Sequence, residues 1–161
     1  MAIKISDLRA APNWIVTIAQ WQFELWGPLT GSDTLIGYEQ LLTRATKSDA
    51  LPRVLVAEED GNLLGSVNLV SCDCPVRQDL TPWLAQLFIA PERRKMGVGA
   101  TLVRAAQDRA RDMGFETLYL FTSGTLPNYY RSLGWSEIET FPYYGLKRTL
   151  MAYDFAKDQL T

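Results

Sequence analysis

Leu87-Phe88-Ile89-Ala90-Pro91-Glu92-Arg93-Arg94-Lys95-Met96-Gly97-Val98-Gly99-Ala100 is the stretch on which the reading of this chain turns. It reads as the end of a buried strand, a charged turn begun by a proline, and two glycines that open a long helix. Glycine carries no Cβ, so the backbone there can approach a ligand closely. The first N–H groups of a helix lack intrahelical partners, and the helix dipole adds positive potential. Such an entrance suits a diphosphate, with Arg94 and Lys95 as mobile positive charge at its rim. Spacing excludes two other glycine loops. The G-x-x-x-x-G-K-[ST] pattern of a P-loop is absent. A dinucleotide fingerprint needs a third glycine three residues after Gly99, where Leu102 stands.

Downstream, Val98, Leu102, Ala106, Ala110 and Met113 form the apolar seam of the long helix, and Gly114 ends it. A buried strand follows over residues 117–122. Pro127 then sits in the first turn of a short helix that stops near Gly134. Two last strands, 135–140 and 146–155, are joined by Pro142-Tyr143-Tyr144-Gly145. Upstream, residues 3–6 form a strand. Ala11-Pro12-Asn13 opens a helix that turns Trp14, Ile18, Trp21 and Leu25 inward and stops at Gly27-Pro28. A second helix covers 34–46, with Leu35, Tyr38, Leu41 and Leu42 inward. Strands 54–58 and 63–70 flank the turn Asp60-Gly61-Asn62, with Gly65 marking a bulge. Residues 71–82 read as a loop and 83–89 as a buried strand. Strand–helix alternation in the middle implies a parallel step inside a mixed sheet.

Composition bounds the function classes. The 161 residues suit one domain over 1–161. Apolar residues at 47% and charged ones at 21% are an ordinary globular balance. A formal charge of −2 gives no global basic field, so nucleic acid is not expected as a partner. No signal-peptide core or membrane-length apolar run is seen, so the expectation is a cytoplasmic protein without a membrane partner. Cys72 and Cys74 are one residue apart, too strained to bridge, and read as free thiols. With no histidine and two cysteines, neither a histidine triad nor a structural zinc site is supplied, and no metal is expected.

Arg94-x-x-Gly97-x-Gly99 resembles the R/Q-x-x-G-x-G/A signature of the GNAT superfamily of acetyl-CoA-dependent N-acyltransferases, as do the strand and proline turn before it. Tyr129-Tyr130-Arg131-Ser132-Leu133-Gly134-Trp135 is similar to that family's F-Y-x-x-x-G-F segment. The order of elements is similar over nearly all the chain. The resemblance implies an α/β (α+β) fold of three layers. Its centre would be a mixed, mostly antiparallel sheet of about seven strands, with about four helices. It implies N-acetyl transfer from acetyl-coenzyme A to a primary amine by direct attack in a ternary complex. Backbone N–H groups of Arg94, Lys95, Met96, Gly97, Val98, Gly99 and Ala100 would bind the diphosphate. Leu87, Phe88 and Ile89 would run along the pantetheine arm where their strand splays from its parallel neighbour, and a backbone N–H would face the thioester carbonyl. The family tyrosine falls on Tyr130, the general acid for the leaving thiolate, while Tyr129 is expected in the core. Ser123 stands seven residues before Tyr130, where many relatives have an asparagine against pantetheine.

The base is the gap in this pattern. Many relatives carry an acid near the end of the central strand; here that stretch is Ala85-Gln86. An alkyl amine has a pKa of about 10.4, and freeing it at pH 7 costs about 4 to 5 kcal/mol. Glu24 and Asp73 are the candidate bases, each acting through a water that Gln86 would position, although each reads more readily as a solvated surface carboxylate. Trp21, Glu24, Trp26, Tyr38, Tyr143 and Tyr144 suit a cationic amine, whether small molecule or peptide. A coenzyme A-binding sensor or scaffold without turnover, a longer donor such as succinyl-coenzyme A, and a homodimer all stay open.

Overall fold

The strand Arg53–Glu59 (β2) sends Val54 and Val56 to one face and Leu55 and Ala57 to the other, the period of two that a strand imposes. All four are buried, so both faces of the sheet must be covered. Val54 and Val56 pack on Ile18 of α1 (Ile15–Thr30) and Leu42 of α2 (Leu35–Arg44). Leu55 and Ala57 pack with Leu102, Val103 and Ala106 of α3 (Val98–Asp112), and Tyr130 of α4 (Leu126–Ser132) joins the same cluster. Helices therefore lie on both sides of one sheet. The computed structural model describes residues 2–31, 33–94 and 96–159; Lys95 lies outside them.

The sheet holds seven strands in the order β1-β2-β3-β4-β5-β7-β6. Besides β2 they are β1 (Lys4–Asp7), β3 (Asn62–Val70), β4 (Trp83–Ile89), β5 (Thr117–Thr122), β6 (Ser136–Tyr143) and β7 (Leu146–Asp154). Every neighbouring pair is antiparallel except β4 and β5. Those two meet at a single register pair, Trp83 with Tyr119, where the Tyr119 N–H donates to the Pro82 carbonyl at 3.1 Å. Beyond that point the strands part, which is the splay expected of the resemblance.

Two irregularities shape β4. Its register with β3 passes from Ala85–Asn68 to Phe88–Ser66, so an extra β4 residue bulges out, and Gln86 takes a positive φ of 47°. Gly65 lies under the end of β4: a Cβ there would stand 2.6 Å from the Phe88 carbonyl oxygen. The register shift between β2 and β3 falls beside it, as the glycine predicts.

Three expectations are corrected. Gly27-Pro28 does not end α1, which runs to Thr30. Proline removes the hydrogen bond to the carbonyl four residues back and crowds that carbonyl, but the helix here continues past it, with the Gly31 N–H donating to Gly27 at 3.1 Å. Leu25, expected inward, is 52% exposed, because that end of α1 overhangs a cleft. Tyr129, expected in the core, is 37% exposed, while α4 seats Pro127 and Tyr130, three positions apart, on its buried side. Cys72 and Cys74 are free thiols, as expected.

Candidate active site

Where β4 and β5 separate, a cleft of about 500 Å³ opens. Leu84 to Leu87 of β4 form one wall and Leu120 to Ser123 of β5 and its extension the other. The overhanging end of α1 closes one side with Leu25, Trp26 and Leu29. Tyr38, Asp33, Asp73, Tyr143, Arg148 and Tyr130 complete the lining. Four positions named from sequence for chemistry or donor contact, Asp73, Gln86, Leu87 and Ser123, thus share one cavity with Tyr130.

The helix entrance lies beyond the end of β4. Gly97 precedes α3 with a left-handed φ of 82°, a conformation costly to any residue with a Cβ. No side chain caps the helix, and its first internal bond is the one Thr101 donates to Gly97 at 3.1 Å. The N–H groups of Val98, Gly99 and Ala100 precede that bond and are the free donors of the helix start. Arg94, exposed in the turn before them, donates from Nε to the Ile89 carbonyl at 3.1 Å, and its guanidinium lies 5.6 Å from the centre of the Phe88 ring. Phe88 itself stacks on Trp21 at 4.8 Å, and Met96 is exposed. These donors and the guanidinium suit an anion; the glycine-opened helix start itself was legible in the sequence.

Asp73 is half-buried at the cleft and also borders a smaller pocket behind it, lined by Arg44, Ser71, Cys72 and Gln86. Burial pushes its carboxyl up to about 6, against a hydrogen bond from Gln86 that pulls the other way. Gln86 is held in turn. Buried Gln22 donates from Nε2 to Asn68 Oδ1 at 3.1 Å, and Asn68 Nδ2 donates to Gln86 Oε1 at 3.1 Å. With Oε1 so engaged, the Nε2 end of Gln86 is the one left for Asp73. Gln22 and Asn68 were not singled out from sequence; two buried amides on an apolar helix face and an apolar strand were the available signal. Glu24 does not join the site. It projects from α1 into solvent, accepts from Gln20 Nε2 at 2.7 Å, and lines no part of the cleft.

Tyr130 is 6% exposed, its ring set edge-on to Trp135 and Tyr129. Burial raises its pKa above the usual value near 10, so the phenol stays protonated. Ser123 accepts from Arg148 Nη1 at 3.3 Å; Arg148 also donates from Nε to the Tyr143 carbonyl at 3.4 Å. Tyr38 donates to Asp33 at 2.7 Å on the opposite side. Among the described residues no cluster of acids and cysteines is arranged to hold a metal, and no helix is long and apolar enough to cross a membrane.

A three-layer fold with one splayed parallel strand pair, an uncapped helix start, and a carboxylate (Asp73) and a phenol (Tyr130) on the lining of the cleft suits group transfer. Residues 16–135 match the acetyltransferase (GNAT) family, and the chain belongs to that family. Human (Homo sapiens) N-acetyltransferase 8 is 34% identical over 71 residues, which cover 44% of this chain and 31% of that protein, so the match spans about a third of the relative's length. An N-acetyltransferase from Staphylococcus aureus Mu50 superposes with a TM-score of 0.72 at 16% identity, covering 96% of this chain and 99% of that one. An aminoglycoside 6′-N-acetyltransferase complexed with coenzyme A superposes with a TM-score of 0.70 at 16% identity, covering 96% and 97% of the two chains. These last two likenesses show the fold.

Proposed function

We propose that the chain transfers an acetyl group from acetyl-coenzyme A to a primary amine, with both bound in the cleft at once. The observation that carries this reading is the parting of β4 and β5 into a cavity that has Asp73 and Tyr130 on its lining and the uncapped start of α3 beyond its end. The coenzyme A complex of a structural relative supports the choice of donor. The N–H groups of Val98, Gly99 and Ala100, with Arg94, hold the diphosphate. The edge of β4 freed by the splay runs beside the pantetheine arm, at Leu87 and opposite Ser123. A thioester supplies an activated acyl carbon.

The amine nitrogen attacks that carbon, the C–N bond forms, and the C–S bond then breaks. Asp73, aided by the amide of Gln86, takes the proton lost from nitrogen, directly or through one water. Its value of about 6 lies nearer an alkyl amine's than that of an ordinary aspartate, which is near 3.9. Tyr130 donates its hydroxyl to the departing sulfur. Its raised pKa makes outright ionisation unfavourable, so its main contribution is a hydrogen bond that strengthens as charge develops on sulfur; coenzyme A leaves as a thiolate that takes its proton from solvent, while the proton on Asp73 returns to solvent. Asp33, Asp73 and the aromatic walls at Trp26, Tyr38 and Tyr143 suit a cationic acceptor.

The test is release of free thiol from acetyl-coenzyme A across a panel of amines. Turnover with at least one amine is expected, and Tyr130→Phe should lower kcat about a hundredfold with little change in either KM. Tight coenzyme A binding with no turnover on any amine would instead favour a sensor or scaffold.

A further inference from the structure

We infer that Tyr129, the exposed neighbour of the proposed acid, donates its hydroxyl to the diphosphate of the acyl donor and completes the anion site at the start of α3. The inference rests on the donor site proposed above and adds a residue from a different helix to it.

Tyr129 and Tyr130 are adjacent in α4, so their side chains point about 100° apart. Tyr130 goes into the core and the cleft. Tyr129 goes the other way, across the gap between α4 and α3. Its hydroxyl stands 3.2 Å from the position a Cβ would take on Gly99, and Ile89, the last residue of β4, flanks the same spot at 3.8 Å. The phenol therefore ends where β4 stops and α3 begins, beside the free N–H groups.

Packing does not account for that hydroxyl. The residue is 37% exposed, and among the described residues the hydroxyl makes no hydrogen bond. An O–H at a helix entrance with no protein acceptor is free to donate to an anion bound there. Its electrostatic setting agrees. Burial raises the phenol's pKa, with the charge of Arg104 acting against that, so it remains a neutral donor at working pH while a second cation stands nearby. The absence of a side chain at Gly99 acquires a further reason: a methyl group there would push against the hydroxyl.

Calorimetric titration of wild type and Tyr129→Phe with coenzyme A, 3′-dephospho-coenzyme A and pantetheine tests this. Phenylalanine keeps the ring and its edge contact with Tyr130. The variant should bind coenzyme A and 3′-dephospho-coenzyme A each about tenfold more weakly and pantetheine, which lacks the diphosphate, unchanged. In turnover the KM for acetyl-coenzyme A should rise by a similar factor with kcat at saturation preserved. Unaltered coenzyme A binding overturns the inference. So does an equal loss for pantetheine, which would mark a packing role, or a loss that vanishes with 3′-dephospho-coenzyme A, which would move the contact to the ribose phosphate. Tighter binding by the variant would show that the hydroxyl obstructs the donor. A wild-type protein that binds no coenzyme A removes the donor site itself, and that result is visible before any variant is made.

Discussion

Asp73 and Tyr130 need opposite protonation states to do their proposed work, and their surroundings push both the same way. Burial favours the neutral form of each. For Tyr130 that keeps the required proton in place. For Asp73 it sets a lower limit on working pH. The base form exists above about 6, so kcat/KM should fall as pH drops through that value, and Asp73→Asn should abolish this limb and lower kcat about a hundredfold. The same shift acts on stability. A raised carboxyl pKa means the folded protein holds the proton more tightly than the unfolded chain. Stability from this group is therefore present below the ordinary aspartate value and lost as pH rises through about 6. Asp73→Asn should accordingly raise the urea unfolding midpoint at pH 8 even as it lowers activity. Asn68→Ala reaches the carboxylate indirectly. It releases Gln86, whose hydrogen bond lowers the pKa of Asp73, so the acid limb should move to higher pH. Nothing in the spacing of residues 68, 73 and 86 announces that they meet; a strand pairing and a loop bring them together.

At the scale of elements, β4 decides the geometry of the site. It is bulged at Gln86, parted from β5 after Trp83, and seated over a glycine at its end. Gly65→Ala would place a methyl group 2.6 Å from the Phe88 carbonyl oxygen, so β4 must move. We expect a loss of about 1 to 3 kcal/mol in urea denaturation, together with weaker coenzyme A binding, because the strand's edge and Arg94 shift with it. The bulge at Gly65 was legible because a lone glycine in a strand has few other uses. The run of α1 through Pro28 was not, because a proline signals a stop whenever tertiary contacts for the following turn are unknown. Here that turn carries Leu29 into the wall of the cleft. The facing of α4 was misread for a similar reason: in a seven-residue helix two adjacent tyrosines fit the pattern equally well, and the surface it docks on chooses between them.

Across the whole molecule, the edge strand β1 is tied to its neighbour β2 and to the far end of α3 by one carboxylate. Asp7 pairs with Arg53, which is almost wholly buried, and with Arg109 at 2.8 Å. Burial opposes its ionisation, but the Arg9 N–H and the two guanidinium groups outweigh that and hold its pKa below the ordinary range. A depressed carboxylate lends stability above the unfolded-chain value, lost as pH falls through the folded one. Asp7→Asn should cost about 3 kcal/mol or more, because Arg53 is left as an uncompensated buried charge, and the variant should lose part of the parent's sensitivity to acid in urea denaturation. The sequence by itself determined the element order, the mixed sheet with one parallel step, and the glycine entrance to α3, because strand periodicity, helix periodicity and glycine punctuation are local consequences of backbone geometry. Only the tertiary structure decided that Asp73 rather than Glu24 faces the cleft, that two buried amides brace Gln86, and that Tyr129 reaches Gly99. Those facts depend on how strands and helices pack across the sheet, and a side chain's neighbours on another element leave no periodic trace in its own.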